Sequence, residues 1–87
     1  MARIKNGYGK KDVYCVARMG LRSTHYWYTT LSEAVEKYDE LCRNRNYVRI
    51  ELEFFPSDGK YIMERIYTTD TNDCSPGVKY RNISKKR

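Results

Sequence analysis

Residues Thr24–Cys42, THYWYTTLSEAVEKYDELC, change their period part-way through. In THYWYTT, residues 24–30, β-forming aromatics stand side by side. A strand sends them to opposite faces, His25 with Trp27 on one and Tyr26 with Tyr28 on the other. From Thr30 onward the repeat is helical. Leu31, Ala34, Val35, Tyr38, Leu41 and Cys42 draw one apolar stripe along a helix of about 13 residues. Thr30 is a good N-cap, and Glu33 three residues later completes a capping box that satisfies backbone donors left over at the helix start. Ser32, Glu33, Glu36, Lys37, Asp39 and Glu40 fill the other side, a solvated acidic face with a Glu33–Lys37 pair.

Upstream, DVYCVAR at 12–18 alternates and is rich in β-formers, and a turn around Gly20 joins it to THYWYTT as a first hairpin. Downstream, Arg43-Asn44-Arg45-Asn46 places positive charge at the helix C-terminus, where it complements the helix dipole. YVRIELEF at 47–54 then alternates cleanly. Val48, Ile50, Leu52 and Phe54 share one face, and Arg49, Glu51 and Glu53 the other. FPSDGK supplies turn residues, and YIMERIYT at 61–68 returns as a fourth strand. The expected fold is α+β: a two-layer sandwich of order β-β-α-β-β, with one helix on one face of a four-stranded, mostly antiparallel sheet. The domain spans 12–68. Residues 1–11 form a basic N-terminal arm and 69–87 a basic C-terminal tail without periodicity.

One helix covers one face, so the other face of the sheet is the question. In the last strand, Arg65 beside Glu51 and Glu53 pairs opposite charges and sends Tyr61, Met63 and Tyr67 to the open side, with Glu64 on the helix side. The alternative register exposes Ile62 and Ile66 instead. In the first hairpin, either His25 with Trp27 or Tyr26 with Tyr28 must face away from the helix. A contiguous face of Tyr, Trp, Met and Arg marks a partner surface, or one to be covered by the arms, by residues 69–87, or by a second copy of the chain as a homodimer.

Composition points the same way. The chain of 87 residues holds nine Tyr, one Trp and only two Phe. Aromatics with polar tips suit half-wet positions such as binding surfaces. The net charge of +6 is concentrated at the ends: Arg3, Lys5, Lys10 and Lys11 in residues 1–11, and Lys79, Arg81, Lys85, Lys86 and Arg87 in residues 76–87, without an acid in either stretch. Those nine of the seventeen basic residues leave eight against eleven acids in residues 12–75, a net of −3. The ends read as electrostatic tethers or as solubilising tails.

Cys15, Cys42 and Cys74 are odd in number and widely spaced, which is neither a disulfide framework nor a zinc signature. Cys15 and Cys42 read as small buried groups and Cys74 as a free thiol. No apolar run reaches membrane-spanning length and the start lacks a signal peptide, so the expected setting is the cytoplasm, that of a host cell if the chain is phage-encoded. His25 has no local nucleophile, and Glu51, Glu53 and Glu64 lack metal-ligand spacing. The expectation is a protein that is not an enzyme and takes no metal or cofactor.

The run from the first hairpin through YTTLSEAVEKYDEL resembles the hairpin-plus-helix unit of AP2-type and phage integrase arm-binding domains. The resemblance covers residues 12–43 and implies a sheet that reads DNA. It ends after residue 46, where an extra hairpin follows, and this chain lacks the strand that precedes the first hairpin in that family. The general form, a small protein with basic ends and an aromatic sheet, is similar to small phage-encoded inhibitors of host machinery, anti-CRISPR proteins among them. Two functions follow. In one, Arg18, Arg22, Tyr26, Trp27, Tyr28, Tyr61, Arg65 and Tyr67 meet a nucleic acid or nucleoprotein complex together with the basic arms, the aromatics stacking on bases while Arg18, Arg22 and the arms take phosphates. In the other, the aromatics and arginines anchor a host protein without nucleic acid.

Overall fold

The computed structural model describes residues 11–44, 49–57 and 63–81. The arm residues Arg3, Lys5, Lys10, Lys85, Lys86 and Arg87, and also Arg45, Val48, Tyr61 and Ile62, lie outside them. The elements run β1 (Val13–Met19), β2 (Thr24–Tyr28), α1 (Leu31–Arg43), β3 (Arg49–Phe55), β4 (Glu64–Thr68) and β5 (Lys79–Tyr80). The strands form one sheet in the order β2-β1-β3-β4-β5.

The architecture is α+β, with α1 on one face of the sheet. Two details depart from the expectation. The sheet has five strands among the described residues rather than four, and it is mixed, because β5 pairs in parallel with β4 while the other three pairings are antiparallel. The cause lies in residues 69–78. A Ser75-Pro76-Gly77-Val78 turn has Val78 N–H donating to Ser75 C=O at 3.3 Å and Gly77 at φ 80°. Proline second and a positive-φ glycine third are what a type II turn requires. Together with the Asp70–Asp73 turn, in which Asp73 N–H donates to Asp70 C=O at 3.2 Å, this turn reverses the chain twice beyond the fourth strand, so the added edge runs parallel to β4.

The helix forms where its stripe indicates. Thr30 accepts the Glu33 N–H at 3.3 Å and donates its hydroxyl to the Glu33 carboxylate at 2.9 Å, and Asn44 N–H closes the far end on Leu41 C=O at 3.0 Å. Ala34, Tyr38, Leu41 and Cys42 are buried against Val16, Ile50 and Leu52 of the sheet, with Tyr14, Tyr26, Tyr28, Val35, Ile66 and Tyr67 at the margin. Leu31 stays exposed. Lys37 pairs with Glu40 at 3.5 Å rather than with Glu33, and its ammonium lies 4.4 Å from the centre of the Tyr26 ring.

Parity in the first hairpin is now decided. Tyr26 pairs with Val16 and Tyr28 with Tyr14, so both tyrosines flank the helix while His25 and Trp27 face away. In the second hairpin Arg65 pairs with Glu53 and Glu64 with Phe54, as charge matching predicts. Tyr67 corrects the expectation, because it pairs with Leu52 on the helix side rather than joining the open face. A register shift between Leu52 and Glu53 is the reason. Ile66 is left as the extra residue of a bulge, and a bulge lets side chains two apart in sequence point to opposite faces.

Candidate functional site

The face away from α1 carries Val13, Cys15 and Ala17 on β1, His25 and Trp27 on β2, Arg49, Glu51, Glu53 and Phe55 on β3, and Arg65 and Thr68 on β4. It is largely closed. Val13, Cys15 and Ala17 are buried to within 1% exposure, and Glu51, Glu53 and Thr68 are buried too. One half is roofed by aromatics. β2 and β3 flank β1 on opposite sides, about 9.6 Å apart at ordinary strand spacing, yet the Trp27 and Phe55 rings meet with centroids at 5.4 Å. The two rings must lean together over β1, above Val13 and Cys15. Burial, and next the charge of Glu53, push the Cys15 thiol up to about 12, so it remains a protonated apolar group.

The other half is ionic. Arg49 Nε approaches Glu51 Oε2 at 3.2 Å and Arg65 Nε approaches Glu51 Oε1 at 3.4 Å, both ion-pair contacts without hydrogen-bond geometry. Each guanidinium reaches onward to a carboxylate of the β4–β5 connection, Arg49 to Asp70 at 3.1 Å and Arg65 to Asp73. The chain Asp70–Arg49–Glu51–Arg65–Asp73 fastens that connection across β3 and β4. Glu51 is only 2% exposed, and charge that deeply buried persists only when paired. Beside it, burial first and the Glu51 charge second push Glu53 up to about 7.

The predicted binding residues fall into two groups. Arg18, Arg22, Tyr26, Trp27 and Tyr28 gather around the β1–β2 hairpin, with Arg18 opposite Thr24 and Arg22 exposed in the tip beside a fully exposed Leu21. Arg65 and Tyr67 lie on β4, two strands from the hairpin, and each has an internal partner: Asp73 for Arg65, the Tyr38 ring at 5.8 Å for Tyr67. Of the described basic end residues, Lys11 and Lys79 are exposed. Arg81 is held by Asp39.

The chain matches no family model, no curated protein and no solved structure.

Its own geometry therefore has to carry the functional reading. Among the described residues, no group of three or more His, Cys, Asp and Glu side chains is placed to hold a metal, and no helix is long and apolar enough to cross a membrane. What the hairpin offers is an edge. β2 has β1 on one side and, among the described residues, no strand on the other. Thr24-His25-Tyr26-Trp27-Tyr28 contains neither Pro nor an acid, Lys or Arg, the devices that usually blunt an edge strand. Alternation alone did not identify this edge, because strand order depends on which strands pair across the helix.

Proposed function

We propose that the protein is a small non-enzymatic regulatory binding module that captures an extended segment of a partner protein along β2. The carrying observation is the unblunted edge itself. An edge strand takes up an added strand through its main-chain groups, and the side chains beside them supply selection; among the described residues β2 lies at the edge of the sheet. Tyr26 and Tyr28 on the helix side and Trp27 on the other, all half-buried, leave aromatic surface on both flanks of that edge, with Leu21 and Arg22 at its tip. The excess of Lys and Arg at the chain ends favours an acidic partner and faster encounter with it. Small phage-encoded inhibitors of host machinery offer a biological parallel for such a module.

A second reading is direct contact with a nucleic-acid-containing complex, favoured by the nine basic residues of the two end stretches. Phosphate contact releases counterions and falls steeply with salt, so the two readings separate cleanly. Pull-down from cells, with and without nuclease, should be run on the full chain and on a Leu21→Asp/His25→Glu double variant. A partner protein retained after nuclease and lost with the variant supports strand capture. Capture abolished by nuclease, together with a salt-sensitive shift of a labelled oligonucleotide, replaces it with the nucleic-acid reading.

A further inference from the structure

Residues 69–78 leave β4, turn and come back as β5, and three sets of contacts hold them. At the start, Thr69 N–H donates to Ile50 C=O at 3.1 Å, Thr69 Oγ1 accepts Ile50 N–H at 3.0 Å, and Asp70 N–H donates to Thr68 Oγ1 at 3.0 Å. At the end, Arg81 N–H donates to Thr68 C=O at 3.0 Å. In the middle, the ion pair of Asp73 with Arg65 joins the segment to the sheet. A cleft of about 490 Å³ opens beside that pair, lined by Met63, Glu64 and Arg65 on one wall and Ser75–Val78 on the other. The ends are pinned by the backbone, the first of them also by the ion pair of Asp70 with Arg49 at 3.1 Å, and the centre, among the described residues, by the charge of Asp73 alone.

We propose that residues 69–78 are a proton-gated strap, closed on the sheet while Glu53 is protonated and lifted from it when Glu53 ionises. The proposal does not depend on the strand-capture reading. Its basis is the competition around one guanidinium. Arg65 stands opposite Glu53 in the β3–β4 register, contacts Glu51 and also holds Asp73. Glu51 and Glu53 are fixed on β3, so Asp73 is the only one of the three carboxylates able to leave.

The charges around Glu53 set the direction. Glu53 stands opposite the neutral Cys15 thiol of β1 and opposite Arg65 of β4, and it feels the charges of Glu51 and Arg49 on β3; the strap joins the cluster through Asp70 on Arg49 and Asp73 on Arg65, and His25 on β2 stands level with Glu51 across Ala17. Two guanidinium groups already face three carboxylates before Glu53 ionises. A fourth negative charge in a buried setting draws Arg65 toward the sheet and weakens its hold on Asp73. Burial places that ionisation near neutral pH. The inner turn of the strap survives lifting, because Asp73 Oδ1 accepts Ser75 N–H at 2.9 Å and Asp70 Oδ1 accepts Asn72 N–H at 2.9 Å. The strap moves as a unit between Asp70 and Val78, and the cleft widens.

Cys74 sits in the middle of the strap and is exposed, while Cys15 and Cys42 are buried, so a nitroxide reagent labels the strap selectively. Electron paramagnetic resonance of the labelled full chain between pH 5.5 and 8.5 should show an immobilised spectrum turning mobile with a midpoint near pH 7. Glu53→Gln, which keeps the protonated shape, should stay immobilised throughout, and Asp73→Asn should be mobile throughout, with circular dichroism confirming that both fold. An unchanging wild-type spectrum overturns the proposal, as does the same transition in Glu53→Gln or an immobile label in Asp73→Asn. The wild-type titration decides even if a variant fails to fold.

Discussion

Arg81 grips Asp39 through two hydrogen bonds, Nε at 3.0 Å and Nη2 at 2.8 Å, and so ties the end of the fifth strand to the middle of the helix. Its guanidinium carbon also lies 5.0 Å from the centre of the Tyr67 ring, and its carbonyl accepts the Tyr38 hydroxyl at 2.7 Å. Tyr38 is fully buried, and this bond satisfies the one polar atom its side chain brings into the core. A residue that composition assigns to a basic end, an electrostatic tether or a solubilising tail, is therefore a clamp between the two layers. The hydrogen bonds to Asp39 hold the guanidinium above its usual range.

The clamp predicts a coupled loss. Arg81→Ala and Asp39→Asn should each destabilise the fold by roughly 1 to 2 kcal/mol, since a bidentate pair that is partly exposed is worth more than a typical surface ion pair and less than a buried one. Urea denaturation of the single and double variants checks this. If the two losses simply add, the pair is not coupled and the clamp reading fails.

Removing the roof over β1 should uncover a thiol. In the wild type only Cys74 is accessible to a thiol reagent under native conditions. Trp27→Ala should make Cys15, its direct partner across the β1–β2 pairing, react as a second thiol. Loss of half-buried indole surface should also lower stability by about 1 to 2 kcal/mol. Counting the thiols modified in the folded variant tests the prediction, and a count that stays at one removes Trp27 as the cover.

Glu53 should tilt the pH profile of stability. Its carboxyl is raised from 4.5 to about 7 in the fold, by burial and then by Glu51, so over that interval the native state holds a proton that the unfolded chain has released. The stability it contributes is complete below pH 4.5 and disappears as pH rises through about 7. The loss is at most about 3 kcal/mol. Urea midpoints across pH 4 to 8.5 should therefore fall in the wild type and flatten in Glu53→Gln; a wild-type midpoint that rises across this range contradicts the assignment.

Much of the helix was legible because its signals are local. Thr30, Glu33 and the spacing of Ala34, Tyr38, Leu41 and Cys42 act within one or two turns, and the helix occupies Leu31–Arg43 accordingly. Ile50, Leu52 and Phe54 likewise face α1 because a strand with one dry side must alternate. Placing Arg65 against Glu51 and Glu53 followed from charge alone. Residues 69–87 were expected as a tail, although the Pro76-Gly77 pair carries a local signal for the turn that starts the chain back toward the sheet.

By itself, then, the sequence determined the order of the elements, the helix and its cap, and the fact that some aromatics of THYWYTT had to face away from that helix. Which ones did so was decided by tertiary structure, because parity is symmetric until a neighbouring strand breaks it: the pairing with β1 sent Tyr26 and Tyr28 to the helix and Trp27 over Cys15 to meet Phe55. Tertiary structure alone placed the bulge that turned Tyr67 inward, added β5, and brought Asp70 and Asp73 onto Arg49 and Arg65. Those outcomes depend on contacts between residues distant in the chain, whose free energies come from burial and charge pairing in the assembled fold, and no local period in the sequence encodes them.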